Sequence, residues 1–352
     1  MAHALRLARR GLGNVWPNPA VGAVILRDGR IVGRGWTQPG GRPHAEVRAL
    51  TQAGDLAAGA TVYVSLEPCA HHGKTPPCSE ALIRSGVARV VTAATDPDPR
   101  VAGRGHMMLR NAGIEVTEGI MQTEASRLNA GFFKRINQGL PLVTLKLATS
   151  VDGRIATASG ESRWITGPES RRVVHAMRMS HDAVLVGSGT ALADNPDLTV
   201  RGFGAVPQPV RVVVDSTLRH SADSRLGRSA RKGPVWLVHS SNAPQAARTA
   251  WIEAGAHLID LGEAVQLRGA LAALADRGIT RVLCEGGGTI AAALLREDLV
   301  DDLATFTAGV LIGGDATPAL SAMGVVHLAD APHFRLESQR RIGSDTLTIW
   351  AR

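Results

Sequence analysis

Aromatic residues are scarce, 3% of the 352-residue chain with a single tyrosine. A protein that holds single-stranded nucleic acid by stacking bases on exposed rings would have little here to build that platform from. Cysteine is scarcer still, at positions 69, 78 and 284 only. That count excludes a disulfide-stapled secreted scaffold and suits a reducing cytosol. No stretch approaches the ~20 consecutive apolar residues that cross a bilayer. The basic residues 1–10 have no apolar run behind them, so a secretory signal is not expected. Internal repeats and low-complexity tracts are absent too. These absences predict a cytoplasmic protein with no membrane and no nucleic-acid partner.

What remains is a chain 44% hydrophobic and 20% charged, long enough for two domains of ~150 residues. Its net charge of +8 is uneven. Residues 1–140 hold 17 lysines and arginines against 10 acidic residues, whereas the remainder is nearly balanced. A basic half points to an anionic ligand, and the shortage of rings favours a small phosphorylated molecule over a polynucleotide.

Apolar runs and breakers alternate along the whole sequence. Residues 21–26 and 31–36 flank Asp28-Gly29, a hairpin turn signal. The pattern then predicts helix 44–52, strand 61–66, helix 79–84, strand 89–94, helix 104–111, strand 114–117 and one long helix 122–137. Gln138-Gly139-Leu140-Pro141 is the best boundary, giving domains 1–140 and 141–352. Beyond it strands are expected at 142–148, 183–186, 210–215, 235–238, 281–284 and 346–350, with helices at 169–179, 244–253, 270–276 and 289–295. Alternation of this kind means α/β architecture in both halves.

The strongest chemical signal is His44-Ala45-Glu46 followed by Pro68-Cys69 and Cys78. One imidazole and two thiolates make the three-ligand set of a catalytic zinc, with a coordination position left for water. His-x-Glu with a later Pro-Cys and second Cys is the pattern of zinc deaminases, in which the glutamate moves protons and does not bind metal. Two other readings share these residues. A nucleic-acid adenosine or cytidine deaminase would use the same set, although its two cysteines are usually separated by two residues and not eight. A structural zinc would recruit His71 or His72 as a fourth ligand and leave Glu46 without work.

The longer motif is more specific. Leu66-Glu67-Pro68-Cys69-Ala70-His71-His72-Gly73-Lys74-Thr75-Pro76-Pro77-Cys78, with Pro17-Asn18-Pro19-Ala20-Val21-Gly22 and Asp96-Pro97-Asp98-Pro99-Arg100-Val101-Ala102-Gly103-Arg104-Gly105, closely resembles the bifunctional deaminase–reductases of riboflavin biosynthesis. The resemblance implies a cytidine-deaminase-like α/β/α domain. In it His44, Cys69 and Cys78 hold Zn2+, Glu46 is the catalytic acid and base, and Asn18 contacts the pyrimidine. Lys74 and Arg104 become candidates for the substrate phosphate. One departure stands out: Thr37 occupies a position where the family usually has histidine.

The second half continues the likeness through Ser150-Val151-Asp152-Gly153 and Gly160-Glu161-Ser162-Arg163-Trp164. It implies a dihydrofolate-reductase-like α/β domain that uses NADPH. Carried over residue by residue, the cofactor contacts fall on Ala148, Trp164, Thr190, Asp194, Ser216, Gly287, Gly288, Thr289, Ile290, Ala291, Ala292 and Ala293. The substrate contacts fall on Ser162, Arg178, Leu198, Arg201 and Glu285. Arg178 and Arg201 offer forked donors suited to a phosphate. The expected activity is hydrolytic deamination of a phosphorylated ribosylaminopyrimidine followed by NADPH-dependent reduction of its sugar, in a homo-oligomer.

Overall fold

Asp28 and Gly29 both take positive φ, 49° and 73°, the backbone that lets a two-residue turn follow the twist of its strands. The turn folds strand β1 (Gly22–Arg27) onto β2 (Arg30–Trp36) in the computed structural model. The structure describes residues 1–73, 75–99 and 101–352, so the candidate Lys74 lies outside the described residues. The chain divides into two compact units, Met1–Gly139 and Leu140–Arg352.

In the first unit β3 (Thr61–Leu66), β4 (Arg89–Ala94) and β5 (Glu115–Thr117) complete a five-stranded sheet of order β2-β1-β3-β4-β5. β1 runs antiparallel to β2 and β3, and the rest are parallel. The apolar runs of β3 and β4 are buried almost throughout, as strands covered on both faces must be. Helices α1 (Ala2–Ala8), α2 (Ala45–Ala53), α3 (Cys78–Arg84), α4 (Arg104–Asn111), α5 (Gln122–Leu128) and α6 (Ala130–Gln138) surround the sheet. Ile25, Val62, Val64, Leu82 and Leu109 form part of its core.

The single helix expected over 122–137 is instead two. The two meet at Asn129, whose buried side chain accepts a hydrogen bond from the Ala20 N–H (2.9 Å) and donates to the Ala20 carbonyl (3.1 Å).

The second unit is built on nine strands. They are β6 (Leu142–Ser150), β8 (Ala183–Gly187), β9 (Val210–Val214), β10 (Val235–His239), β11 (His257–Asp260), β12 (Arg281–Cys284), β13 (Asp302–Ala308), β15 (Arg335–Ile342) and β16 (Asp345–Ala351), while β7 (Arg154–Ala156) pairs separately with β14 (Thr317–Pro318). The order is β11-β10-β9-β8-β12-β6-β13-β16-β15. From β11 to β13 every neighbouring pair is parallel; β16 and β15 add an antiparallel edge. Six helices accompany it: α7 (Pro168–Met179), α8 (Ser188–Asp194), α9 (Arg225–Arg228), α10 (Gln245–Ala254), α11 (Leu267–Asp276) and α12 (Gly288–Arg296). The adjacent strands β9, β8, β12 and β6 present their carboxyl ends side by side, which is where open parallel sheets bind ligands. No helix among the described residues is long and apolar enough to cross a membrane.

Candidate active sites

α2 starts immediately after His44, which takes the extended conformation of an N-cap residue, and α3 opens with Cys78. Cys69 follows the end of β3. The ligand atoms of His44, Cys69 and Cys78 all lie within 4.8 Å of one another. His44 Nδ1 is 3.2 Å from Cys78 Sγ and 3.7 Å from Cys69 Sγ. Zinc bonds of about 2.3 Å to sulfur and about 2.0–2.1 Å to nitrogen place tetrahedral donors at roughly this spacing. His71 and His72 stay outside the group; His72 Nε2 instead meets Glu80 at 2.8 Å.

The electrostatics of the triad also ask for a cation. Hydrogen bonds from the Cys78 thiol, then from His44 and the Cys78 N–H, hold the Cys69 thiol down to about 4 despite its burial. Cys78 is pushed well above the usual thiol range by Cys69 and by burial. One thiolate therefore opposes the second, and a dication between them removes that opposition. Glu46, on the first turn of α2, is 4% exposed. Burial pushes its carboxyl up to about 7, although His44 beside it pulls the other way. A carboxyl poised between its two forms near neutral pH suits a group that takes up and returns a proton.

Around this triad the surrounding motifs have separate tasks. Asn18 packs against Gly41, where φ is +83° and an added Cβ would fall on the Asn18 amide; only glycine lets the Pro-Asn-Pro turn approach the His44 loop so closely. Thr37 is buried, and its hydroxyl accepts from the Val21 N–H (3.0 Å) and donates to the Pro19 carbonyl (3.2 Å). The hydroxyl thus braces the same turn from inside. Glu67, also buried, accepts hydrogen bonds from the N–H groups of Asp96 (3.3 Å), Gly103 (3.0 Å), Gly105 (2.9 Å) and His106 (3.4 Å). One carboxylate so ties the 96–105 loop, with Arg104 at its end, to the strand that delivers Cys69.

In the second unit Thr190 lies on α8, directly after the carboxyl end of β8, the segments after β9 and β12 carry Ser216 and Gly287, and Ala148 lies near the end of β6. Thr190 and Gly287 are neighbours: a Cβ on Gly287 would sit 3.2 Å from Thr190 Oγ1, and one on Gly288 would sit 3.2 Å from the carbonyls of Pro318 and Ala319. Gly286 has φ of +91°. This glycine run leaves open backbone N–H groups at the start of α12, a shape and polarity that fit a cofactor phosphate. Thr289 is exposed there, but Ile290, Ala291 and Ala292 are buried, so their side chains pack into the core of the unit. Trp164 is 67% exposed with the Arg171 guanidinium 4.5 Å from its ring centre, which makes it a surface platform and not a packing residue. Arg163, next to Ser162 and Trp164, donates to the Asp194 carbonyl (3.1 Å).

Among the substrate candidates Arg178 and Glu285 form an unexpected pair. Arg178 donates to both carboxylate oxygens of Glu285 (2.5 and 2.8 Å) and to the Thr199 carbonyl (2.8 Å). Its fork is engaged by Glu285 and Thr199, which ties two of the expected substrate contacts to each other, while Arg201 is exposed with its guanidinium 3.6 Å from Asp197. Leu198 is buried with φ of 54°, so it contributes backbone and shape. Lys146 was not singled out from sequence. It lies on β6 among Glu285, Arg178 and Asp194, and burial holds its ammonium below the usual range. The available signal was a lone lysine inside the apolar run Leu142–Ser150.

Comparison with known proteins identifies both units. Residues 141–348 match the RibD C-terminal domain, and residues 1–94 match the cytidine and deoxycytidylate deaminase zinc-binding region. The riboflavin biosynthesis protein RibD of Escherichia coli (strain K12) is 45% identical over 361 residues, covering 98% of this chain and 96% of the relative. The chain belongs to the RibD family. Acinetobacter baumannii RibD, form 2, superposes with a TM-score of 0.89 at 39% identity, over 99% of this chain and 97% of that one. A diaminohydroxyphosphoribosylaminopyrimidine deaminase/5-amino-6-(5-phosphoribosylamino)uracil reductase from Thermotoga maritima gives 0.88 at 36% identity, over 100% and 97%. This RibD-family chain is accordingly a bifunctional enzyme of riboflavin biosynthesis, a zinc-dependent deaminase joined to an NADPH-dependent reductase.

Proposed function

We propose that residues 1–140 deaminate 2,5-diamino-6-ribosylamino-4(3H)-pyrimidinone 5′-phosphate, and that residues 141–352 then reduce the ribosyl chain of 5-amino-6-(5-phosphoribosylamino)uracil to ribityl. The observation that carries this reading is the convergence of His44, Cys69 and Cys78 within 4.8 Å, with the buried Glu46 carboxyl two residues from His44 on the same helix. His44, Cys69 and Cys78 hold the zinc, which when bound supplies the Lewis acidity that makes water nucleophilic at neutral pH. Glu46 takes a proton from the attacking water and returns it to the departing amine, so that ammonia leaves and a ring carbonyl remains. Asn18, held against Gly41, orients the pyrimidine, and the exposed Arg104 is the candidate for its phosphate.

In the second unit Gly287, Gly288 and Thr289 at the start of α12, with Ala148, Trp164, Thr190, Asp194 and Ser216, form the cofactor site; the remaining contacts along α12 come through its backbone. NADPH, when bound, supplies the hydride. Ser162, Arg178, Leu198, Arg201 and Glu285 line the substrate side, where Lys146 offers an ammonium beside Glu285. Arg178 keeps the Glu285 carboxylate and the Thr199 carbonyl in place. The positive excess of the chain answers to two singly phosphorylated small molecules and not to nucleic acid. A cytoplasmic homo-oligomer completes the proposal, and light scattering on the purified protein reads the oligomeric state.

The decisive experiment is zinc analysis together with ammonia release and NADPH oxidation on the pyrimidine substrate. One zinc per chain, lost with ammonia release in Cys78→Ser and retained in Cys284→Ser, is the expected result; full zinc occupancy in Cys78→Ser overturns it. Gly287→Val should weaken NADPH binding without altering ammonia release, because the added side chain meets Thr190.

A further inference from the structure

The first unit carries a second concave site that shares no residue with the zinc triad, Glu46 or the loops around them. It is a cleft of ≈ 670 Å³ between α1, β2 and the outer face of α2. His3, Arg10, Arg34, Trp36 and Arg48 line it, and none of its lining residues is acidic. Elsewhere in the unit arginines meet carboxylates: Arg27 with Asp28, Arg84 with Glu80, Arg89 with Glu115 and Arg110 with Glu118. Arg10, Arg34 and Arg48 have no ion pair among the described residues, and the Arg10 guanidinium lies 4.8 Å from the Trp36 ring centre.

Three unpaired guanidiniums around one concavity repel one another, an arrangement that an anion stabilises. His3 also lines the cleft. Arg34, Arg6, Arg10 and the amino terminus all lie close enough to act on the His3 ring. Guanidinium forks match the oxygens of phosphate better than any other side chain, and the volume is that of a small-molecule site.

We infer that this cleft binds a small phosphate-bearing molecule at a site separate from both active sites, with Arg10, Arg34 and Arg48 as its anion contacts. Arg48 and the catalytic Glu46 share α2, the former on its exposed face and the latter on its buried one, so the helix connects the two sites without merging them.

The test is calorimetric titration of the full-length zinc-loaded enzyme with inorganic pyrophosphate at low ionic strength, where exposed charges are least screened. The parent should bind, and Arg34→Ala/Arg48→Ala should weaken binding by about tenfold or more while leaving kcat/KM for deamination unchanged. Arg27→Ala/Arg30→Ala removes the same charge from the hairpin outside the cleft and should leave the affinity within about twofold. Equal loss in both double variants would mean a general charge effect and overturn the inference. So would unchanged affinity in the cleft variant with pyrophosphate strictly competitive against the pyrimidine, which would put the anion in the active site. Tenfold tighter binding of a single-stranded RNA through the same arginines would replace the small-molecule site with a nucleic-acid surface.

Discussion

Arg178 and Glu285 are joined by two hydrogen bonds, and their side chains are only 11% and 9% exposed. Burial alone would raise the Glu285 carboxyl, but Arg178 overcomes it and holds the group below the usual carboxylate range. Removing one member strands the other's charge, which costs about 3–5 kcal/mol in a buried pair, whereas removing both leaves no unpaired charge. Lys146 also acts on Glu285, so Arg178→Ala should fall at the low end, near ~3 kcal/mol in urea unfolding. Arg178→Ala/Glu285→Ala should be more stable than Arg178→Ala. A double variant less stable than both single ones would mean that the pair is held by packing and not by charge. Reduction should fail in all three variants while ammonia release continues, since both residues lie in the second unit.

At the scale of elements, Glu67 connects a strand, a loop and a helix through four backbone N–H groups. Hydrogen bonds to a charged acceptor contribute ~1.5–3 kcal/mol each when buried. Glu67→Gln turns one acceptor oxygen into a donor that faces other donors. It should cost about 2 kcal/mol or more and raise the KM for deamination severalfold with zinc and reduction retained. Unchanged KM in a less stable protein would confine Glu67 to folding. Several elements were legible in sequence to the residue, among them Thr61–Leu66, Arg89–Ala94, Arg104–Asn111 and Arg281–Cys284, because apolar runs between breakers carry their own boundaries. β15 was not, since Arg335 to Arg341 are all exposed and the strand exists only by pairing with β16. The metal triad was legible because its residue types and spacing state the chemistry. The Arg178–Glu285 pair was not, since only the sheet brings together residues 107 apart.

At the scale of a whole unit, acid stability turns on a histidine outside either site. His181 is buried; its Nδ1 lies 2.7 Å from the Met177 carbonyl and so carries the proton, while Nε2 accepts from Thr144 Oγ1 at 3.0 Å. Burial, helped by Arg281, lowers it from 6.5 to about 3. Below pH ~6.5 the unfolded chain therefore takes up a proton that the folded ring refuses. Stability of the second unit should fall as pH drops from ~6.5 towards ~3, by up to ~1.4 kcal/mol per pH unit from this residue. His181→Gln, although less stable near pH 7, should show a slope smaller by about one proton in urea unfolding between pH 6 and pH 4. An identical slope in parent and variant would mean that the buried ring is protonated in the folded state.

The two units divide the chemistry as well as the chain. All three residues of the metal-ligand group belong to Met1–Gly139, and no other group of its kind occurs among the described residues. A ligand that binds only the folded state raises the stability of the unit that holds it. Stripping zinc with a chelator should therefore lower the thermal transition of the first unit and leave that of the second in place. The activities should separate in the same way, with ammonia release lost and NADPH oxidation on preformed 5-amino-6-(5-phosphoribosylamino)uracil preserved. Glu46→Gln should reproduce the kinetic half of that result with zinc still bound, losing ammonia release by 10²-fold or more, roughly what a positioned acid–base group contributes. Restoring zinc should return activity to the stripped parent but not to Glu46→Gln. If chelation abolished both reactions in a protein whose second transition had not moved, the reductase would depend on the metal, and independent active sites in the two units would have to be abandoned.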